Sequence, residues 1–249
     1  MGLGTELRFT RDDDLSWSPQ IAQSRDATRF PELDPTFQMY VRPDPRLLNV
    51  WADLRAFSKL VNDATARRSK VSAEIAMRLA TSVPHRLERL GREAEARVST
   101  AHQYRHVPVT SVHDSLSLHE LLRLCMLAYA KMLLMKLPGI GRKMTFLADG
   151  LRNVLTAWHA DLELRQACGD VSGDVMGVWK LVLWGAFVAG VSIFEDFDEE
   201  WLRELLVQGL SVLGLRTWAE AREELKGFLW IDVVFDQPGK RSFHQCCVI

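Results

Sequence analysis

Between Val178 and Phe194 the chain runs VWKLVLWGAFVAGVSIF, seventeen residues whose only charge is Lys180. No other segment narrows the fold so much, because a helix that is apolar on every side must be surrounded by protein or by lipid. A bilayer span needs about 20 apolar residues. This run falls short, and the acidic stretch Glu195-Asp196-Phe197-Asp198-Glu199-Glu200 follows at once. Gly185 and Gly190 are not at the GxxxG spacing of paired membrane helices. Together with Ala186 and Ala189 they let neighbouring helices approach closely. The run reads as the buried central helix of a globular bundle, with no membrane partner.

The rest of the chain supplies helices to surround it. Leu47, Leu48, Trp51, Leu54, Phe57, Leu60 and Val61 recur at three- and four-residue spacing, one apolar helix face. Val71, Ile75 and Leu79 continue the pattern in a second helix that stops before Pro84, and Leu87, Leu90, Ala94 and Val98 mark a third. Residues 99–115 hold Pro108 and no helical period, so they read as a loop. Leu116 to Leu137 is a long apolar helix that Ser115 or Ser117 caps, with Ser117 and Glu120 at capping-box spacing, and Pro138-Gly139 ends it. Met144 to Ala167 follows, with Phe146, Leu147, Leu151, Val154, Leu155, Trp158 and Leu162 on its buried side. Only Ile231–Phe235 alternates like a strand. The fold class is all-α, a multi-helix bundle, preceded at residues 1–45 by a proline-rich extended lead-in whose Trp17, Phe30, Phe37 and Tyr40 can pin it to a neighbouring surface.

Composition excludes several functions. Lys plus Arg number 31 and Asp plus Glu 32, interleaved along the chain, so the basic stripe of a nucleic-acid binder is missing. Cys125, Cys168, Cys246 and Cys247 form no C-x-x-C pair, which removes a local zinc ribbon or redox motif and points to a reducing compartment. The N-terminus has no signal-peptide core. Gly2 lacks the Ser or Thr that myristoylation wants at position six, where Glu6 stands. Cys246-Cys247-Val248-Ile249 fits a prenylation box in form, but no polybasic segment precedes it, and an accidental or truncated terminus is the plainer reading.

Candidate chemistry is sparse. His102, His106, His113 and His119 lie in or beside the 99–115 loop at irregular spacings and read as solvated rather than metal-binding. The acidic cluster Asp196, Asp198, Glu199, Glu200 could grip a divalent cation as in all-α isoprenoid synthases. That chemistry needs a second metal-binding set, and Asn62-Asp63 lacks the later serine and glutamate, while Asp12-Asp13-Asp14 sits in the lead-in. Helix capping by Asp196 with Glu199 explains the cluster more simply. No G-x-S-x-G occurs, and Gly139-Ile140-Gly141-Arg142-Lys143 is an interhelical turn rather than a phosphate loop. Cys125 is expected to be an inert buried thiol. Trp51, Trp158, Trp179, Trp184, Trp201, Trp218 and Trp230 fall in or at the ends of helices, where they fill space or line a ligand cavity. No catalytic, cofactor-binding or metal residue is assigned.

In order along the chain stand Arg86-Leu87; Leu118, Glu120, Leu122 and Arg123; Trp184-Gly185 to Gly190; Trp201 after its acidic cap; and Thr217-Trp218 with Leu225, Phe228, Leu229 and Trp230. This series, over residues 47–243, resembles the regulatory domain of fungal-specific transcription factors, the helical region that follows a zinc-cluster DNA-binding module. The resemblance implies a helical regulatory domain at 46–249, a nuclear location (cytoplasmic otherwise), and partners among transcriptional or regulatory proteins or a small-molecule effector. It implies no enzyme and no cofactor. The family's six-cysteine cluster is missing, so direct sequence-specific DNA binding by this chain alone is not expected. A truncated gene model, a fragment or a paralogue that lost DNA binding each fit, and an ending so soon after Pro238-Gly239 reads as cut short. Two other functions stay open: an all-α metal-dependent enzyme built on Asp196–Glu200, and a small-molecule sensor with a tryptophan-lined pocket.

Overall fold

The computed structural model describes residues 44–103, 110–134, 145–169, 173–194 and 199–247, so the lead-in to residue 43 lies outside the described residues. Among the described residues there are eight α-helices and no strand. They are α1 (Pro45–Ala66), α2 (Ala73–Gln103), α3 (Thr110–Leu134), α4 (Thr145–Ala167), α5 (Gly173–Ser192), α6 (Glu200–Val212), α7 (Trp218–Lys226) and α8 (Asp232–Cys247).

The apolar run forms α5, and every residue from Leu181 to Gly190 is buried. Its Val175–Ser192 stretch has the length and composition to cross a membrane, yet 72% of it is buried within the protein. Helices α3, α4, α6, α7 and α8 all pack on it. Close approach is achieved where the sequence put glycine. A Cβ on Gly185 would stand 2.8 Å from Cys125 Sγ of α3, and one on Gly209 of α6 would stand 3.1 Å from Leu183 Cδ1. α3 is nearly as enclosed, with all of Leu121 to Ala130 buried.

Around this centre the other helices follow their apolar faces. α1 starts where Asp44 accepts the Arg46 N–H at 2.9 Å and Pro45 takes the first turn, a position whose amide is unpaired in any helix. Leu47, Val50, Trp51, Leu54 and Phe57 are its buried face. It ends in a Schellman closure: Ser69 N–H donates to Ala64 C=O at 2.8 Å and Arg68 N–H to Thr65 C=O at 3.1 Å. Arg68 occupies the left-handed position at φ 53°. Asp53 of α1 and Arg86 of α2 form a buried ion pair at 2.6 Å, with side chains 0% and 5% exposed. Breaking such a pair from one side costs about 3–5 kcal/mol.

Several boundaries differ from the sequence reading. The second and third expected helices are one, α2, running through Pro84. A proline inside a helix costs about 3 kcal/mol. Leu79, Val83, Leu87 and Leu90 lie buried on both sides of it, each contributing about 1.5–3 kcal/mol, so packing wins. α3 begins at Thr110, before the expected Leu116, so neither Ser115 nor Ser117 caps it, and Glu120 pairs with Arg123 instead. Extending a formed helix over polar residues is easier than nucleating one. The suspected strand at 231–235 is the entry to α8. Ile231 and Phe235 are buried four residues apart while Val233 is 64% exposed, a helical rather than an alternating pattern. Phe146 is 59% exposed, not buried with Leu147 and Leu151, because it stands about 100° round the helix from Leu147. α8 also continues through Pro238-Gly239.

Gly185→Ala gains up to about 1 kcal/mol of helix propensity and overpacks the α3–α5 contact by about 1–3 kcal/mol. A lower urea midpoint is expected for Gly185→Ala, largely restored in Gly185→Ala/Cys125→Ala.

Candidate functional site

Several of the chemistry-bearing side chains join helices, beginning with the acidic cluster. Asp196, Phe197 and Asp198 lie outside the described residues. α6 begins at Glu200, so Glu199 is the N-cap itself rather than the reciprocal partner of an Asp196 cap, and its side chain makes no capping bond. The Glu199 carboxylate instead accepts from Arg152 at 2.7 Å and from Trp201 Nε1 at 3.2 Å. The Arg152 guanidinium lies about 6 Å from the Phe194 and Trp201 ring centres, a cation–π arrangement that ties α4 to the start of α6.

Asn62, weighed as half of a second metal site, is a clamp. Its Nδ2 donates to Trp230 C=O at 3.0 Å, and its Oδ1 accepts from Asp232 N–H at 3.0 Å. The amide thus satisfies the backbone of the short link between α7 and α8 from across the fold, on α1. Asp63 beside it is exposed. Of the histidines, His119 Nε2 accepts the Asp44 N–H at 3.1 Å, fastening the start of α1 to α3. His102 falls in α2 and His113 in α3 rather than in a loop, and His106 lies outside the described residues. Among the described residues no three His, Cys, Asp or Glu side chains gather as a metal site would require. The Gly139–Lys143 turn also lies outside them.

Of the cysteines, Cys125 is buried as expected. Loss of solvation pushes its thiol far above the ordinary range, so it is no nucleophile. Cys168 is exposed, and Cys246 is only 6% exposed in the last turn of α8. Val248 and Ile249 lie outside the described residues.

The aromatic residues form the most connected group. Trp51 meets Trp184 edge-on at 5.6 Å, and Trp184 stacks on Phe228 at 5.6 Å while donating its Nε1–H to Leu229 C=O at 3.0 Å. Trp218 and Trp230 lie 6.3 Å apart over Gly239, where a Cβ would come within 2.8 Å of Trp218 Cη2. Tyr129 stacks on Phe235 at 5.0 Å and shares a 2.7 Å hydrogen bond with Ser58. These rings fill one another's space, as expected of bundle-filling tryptophans. Thr217 and Glu220 form a capping box at the start of α7.

Sequence reasoning missed Arg222. It grips Asp236 through two bonds of 2.9 Å and reaches Asp232 at 2.9 Å, while Trp230 Nε1 donates to Asp236 at 2.8 Å. The signal was present as an Arg and an Asp fourteen residues apart, but only the turn between α7 and α8 makes them neighbours. Arg123, noted only as part of a motif, proves to be 5% exposed. It pairs bidentately with Glu120, donates to Leu87 C=O at 3.2 Å and lies over Gly91, fixing α3 against α2.

No family model matches the chain. Neither a curated protein nor a solved structure matches it at a significant level.

Partial burial pushes the Asp236 carboxyl up, but the Arg222 and Trp230 hydrogen bonds and the Arg222 and Lys226 charges outweigh it, holding it below the ordinary aspartate range. A depressed carboxylate contributes stability above its unfolded value that is lost as pH falls through its folded value. Asp236→Asn therefore lowers the urea midpoint at pH 7 and flattens the loss of stability below about pH 4. Asn62→Ala, which removes two hydrogen bonds, costs about 1–3 kcal/mol at every pH from 5 to 8, measured the same way.

Proposed function

We propose that this chain is a regulatory, protein-interacting domain of the kind that accompanies a zinc-cluster DNA-binding module in fungal transcription factors. The supporting observation is that the apolar residues carrying the resemblance share one core cluster. Glu120 and Arg123 form one unit on α3; Trp184 binds Leu229 and stacks on Phe228; Trp218 and Trp230 close over α8. A motif series spread from Arg86 to Trp230 thus describes one packed interior, which is what a shared fold demands of a shared sequence pattern. Among the described residues, three groups weighed for chemistry hold helices: Glu199 is engaged by Arg152, Asn62 by the α7–α8 backbone, and His119 by Asp44. On this reading the domain acts in the nucleus through transcriptional or regulatory partners or a small-molecule effector, and DNA affinity comes from another module.

The experiment is a reporter assay with residues 1–249 fused to a heterologous DNA-binding domain. A severalfold change in transcription relative to the DNA-binding domain alone is expected, lost in Trp184→Ala, whose side chain centres the aromatic group. The purified chain alone should fail to shift any DNA at 150 mM salt. An unchanged reporter from a stably expressed fusion overturns the proposal.

A further inference from the structure

The connection between α1 and α2 reads Arg67-Arg68-Ser69-Lys70-Val71-Ser72. All but Val71 are exposed. The last fully packed residue before it is Ala64 at 8% exposure and the next is Leu79 at 0%, so fourteen residues, 65–78, contribute no buried side chain. Only Val71, Ile75 and Ala76 of it pack against the core, each partly buried, so the segment opens at little cost, since local opening follows the density of buried apolar contacts. Its closure is also weak. The Schellman motif at the end of α1 places Arg68 at φ 53°, a left-handed position that costs a non-glycine residue about 1–2 kcal/mol. A Schellman closure often adds a hydrophobic contact from the residue after the left-handed one. Here that residue is Ser69, held by its own N–H to Ala64 C=O at 2.8 Å and by a long 3.4 Å bond from its hydroxyl to the same oxygen.

We infer that Ser69 is a phosphorylation site for a basophilic serine kinase. Arg67, Arg68 and Lys70 flank the hydroxyl with three exposed cations, the charge pattern that an acidic substrate groove selects. In the transfer, Ser69 Oγ forms a bond to the γ-phosphorus of ATP, the bond from that phosphorus to the β-bridging oxygen breaks, ADP leaves, and the hydroxyl proton passes to the kinase's base. The product sets a dianion where the hydroxyl met Ala64 C=O, at the negative end of the α1 dipole. That contact is lost, and the phosphate turns outward to Arg67, Arg68 and Lys70. The modification therefore loosens the α1–α2 connection and changes the charge of its exposed surface from cationic toward neutral. This inference is independent of the regulatory reading.

The test is phosphorylation of the folded full chain with ATP and the catalytic fragments of two basophilic kinases, cyclic-AMP-dependent kinase and protein kinase C, read by mass spectrometry. One phosphate on Ser69 is expected with at least one of them, absent in Ser69→Ala. The rate should fall at least tenfold in Arg67→Gln/Arg68→Gly, which removes two cations while easing the left-handed position. Native-state trypsin, a separate readout of opening, should cut within residues 67–70 before it cuts within α3, α4 or α5. Labelling at Ser72 with Ser69 unmodified, labelling of a 63–76 peptide but not of the folded chain, or no labelling of either, overturns the assignment.

Discussion

Everything in this fold depends on covering α5. Ten consecutive residues of it, Leu181 to Gly190, are buried, so neither face is left for solvent and the helix cannot sit at the edge of a bundle. Five helices pack around it, and the chain spends its glycines where two of them come nearest, Gly185 under Cys125 and Gly209 under Leu183 and Trp179. Burying the eight side chains of that stretch contributes on the order of 1.5–3 kcal/mol for each large one. The polar contacts have another task. Asn62, Arg123, Arg152 and Arg222 each tie the end or edge of one helix to another, which fixes how the covering helices are arranged.

That division explains what could be read from the sequence. The class of fold, the central helix, the face of α1, that of α4 apart from Phe146, and the buried Cys125 were legible, because each is written in local spacing or composition. The continuity of α2 through Pro84 was not, since it depends on Val83 and Leu87 finding partners on α1 and α3 rather than on propensity. Ile231–Phe235 misled because five residues cannot separate a period of 2 from a period of 3.6 when the middle Val233 is also apolar. Phe146 misled because an aromatic at a helix start was assigned to the nearest apolar face. The long-range clamps were illegible in principle: Asn62 and Trp230 stand 168 residues apart, and no local pattern joins them.

Among the described residues, several side chains weighed for chemistry are engaged in joining helices. The Glu199 carboxylate is paired with Arg152, His119 accepts a backbone N–H, and the Cys125 thiol is sealed in a helix interface. The aromatic group around Trp184 joins α1, α5 and the segment after α7, and the segment after α7 is in turn held by Asn62. The α7–α8 corner is thus joined to α1 by packed rings and two hydrogen bonds.

The central claim is that α5 is the last element to be exposed. Native-state hydrogen exchange across the chain, in increasing denaturant, measures this directly. Amides 181–190 should exchange only through global unfolding, with the highest free energy of opening in the molecule and with those of α3 close behind. Exchange of the α5 amides at a lower free energy than those of α1 or α7 would mean that the bundle is not organised around this helix.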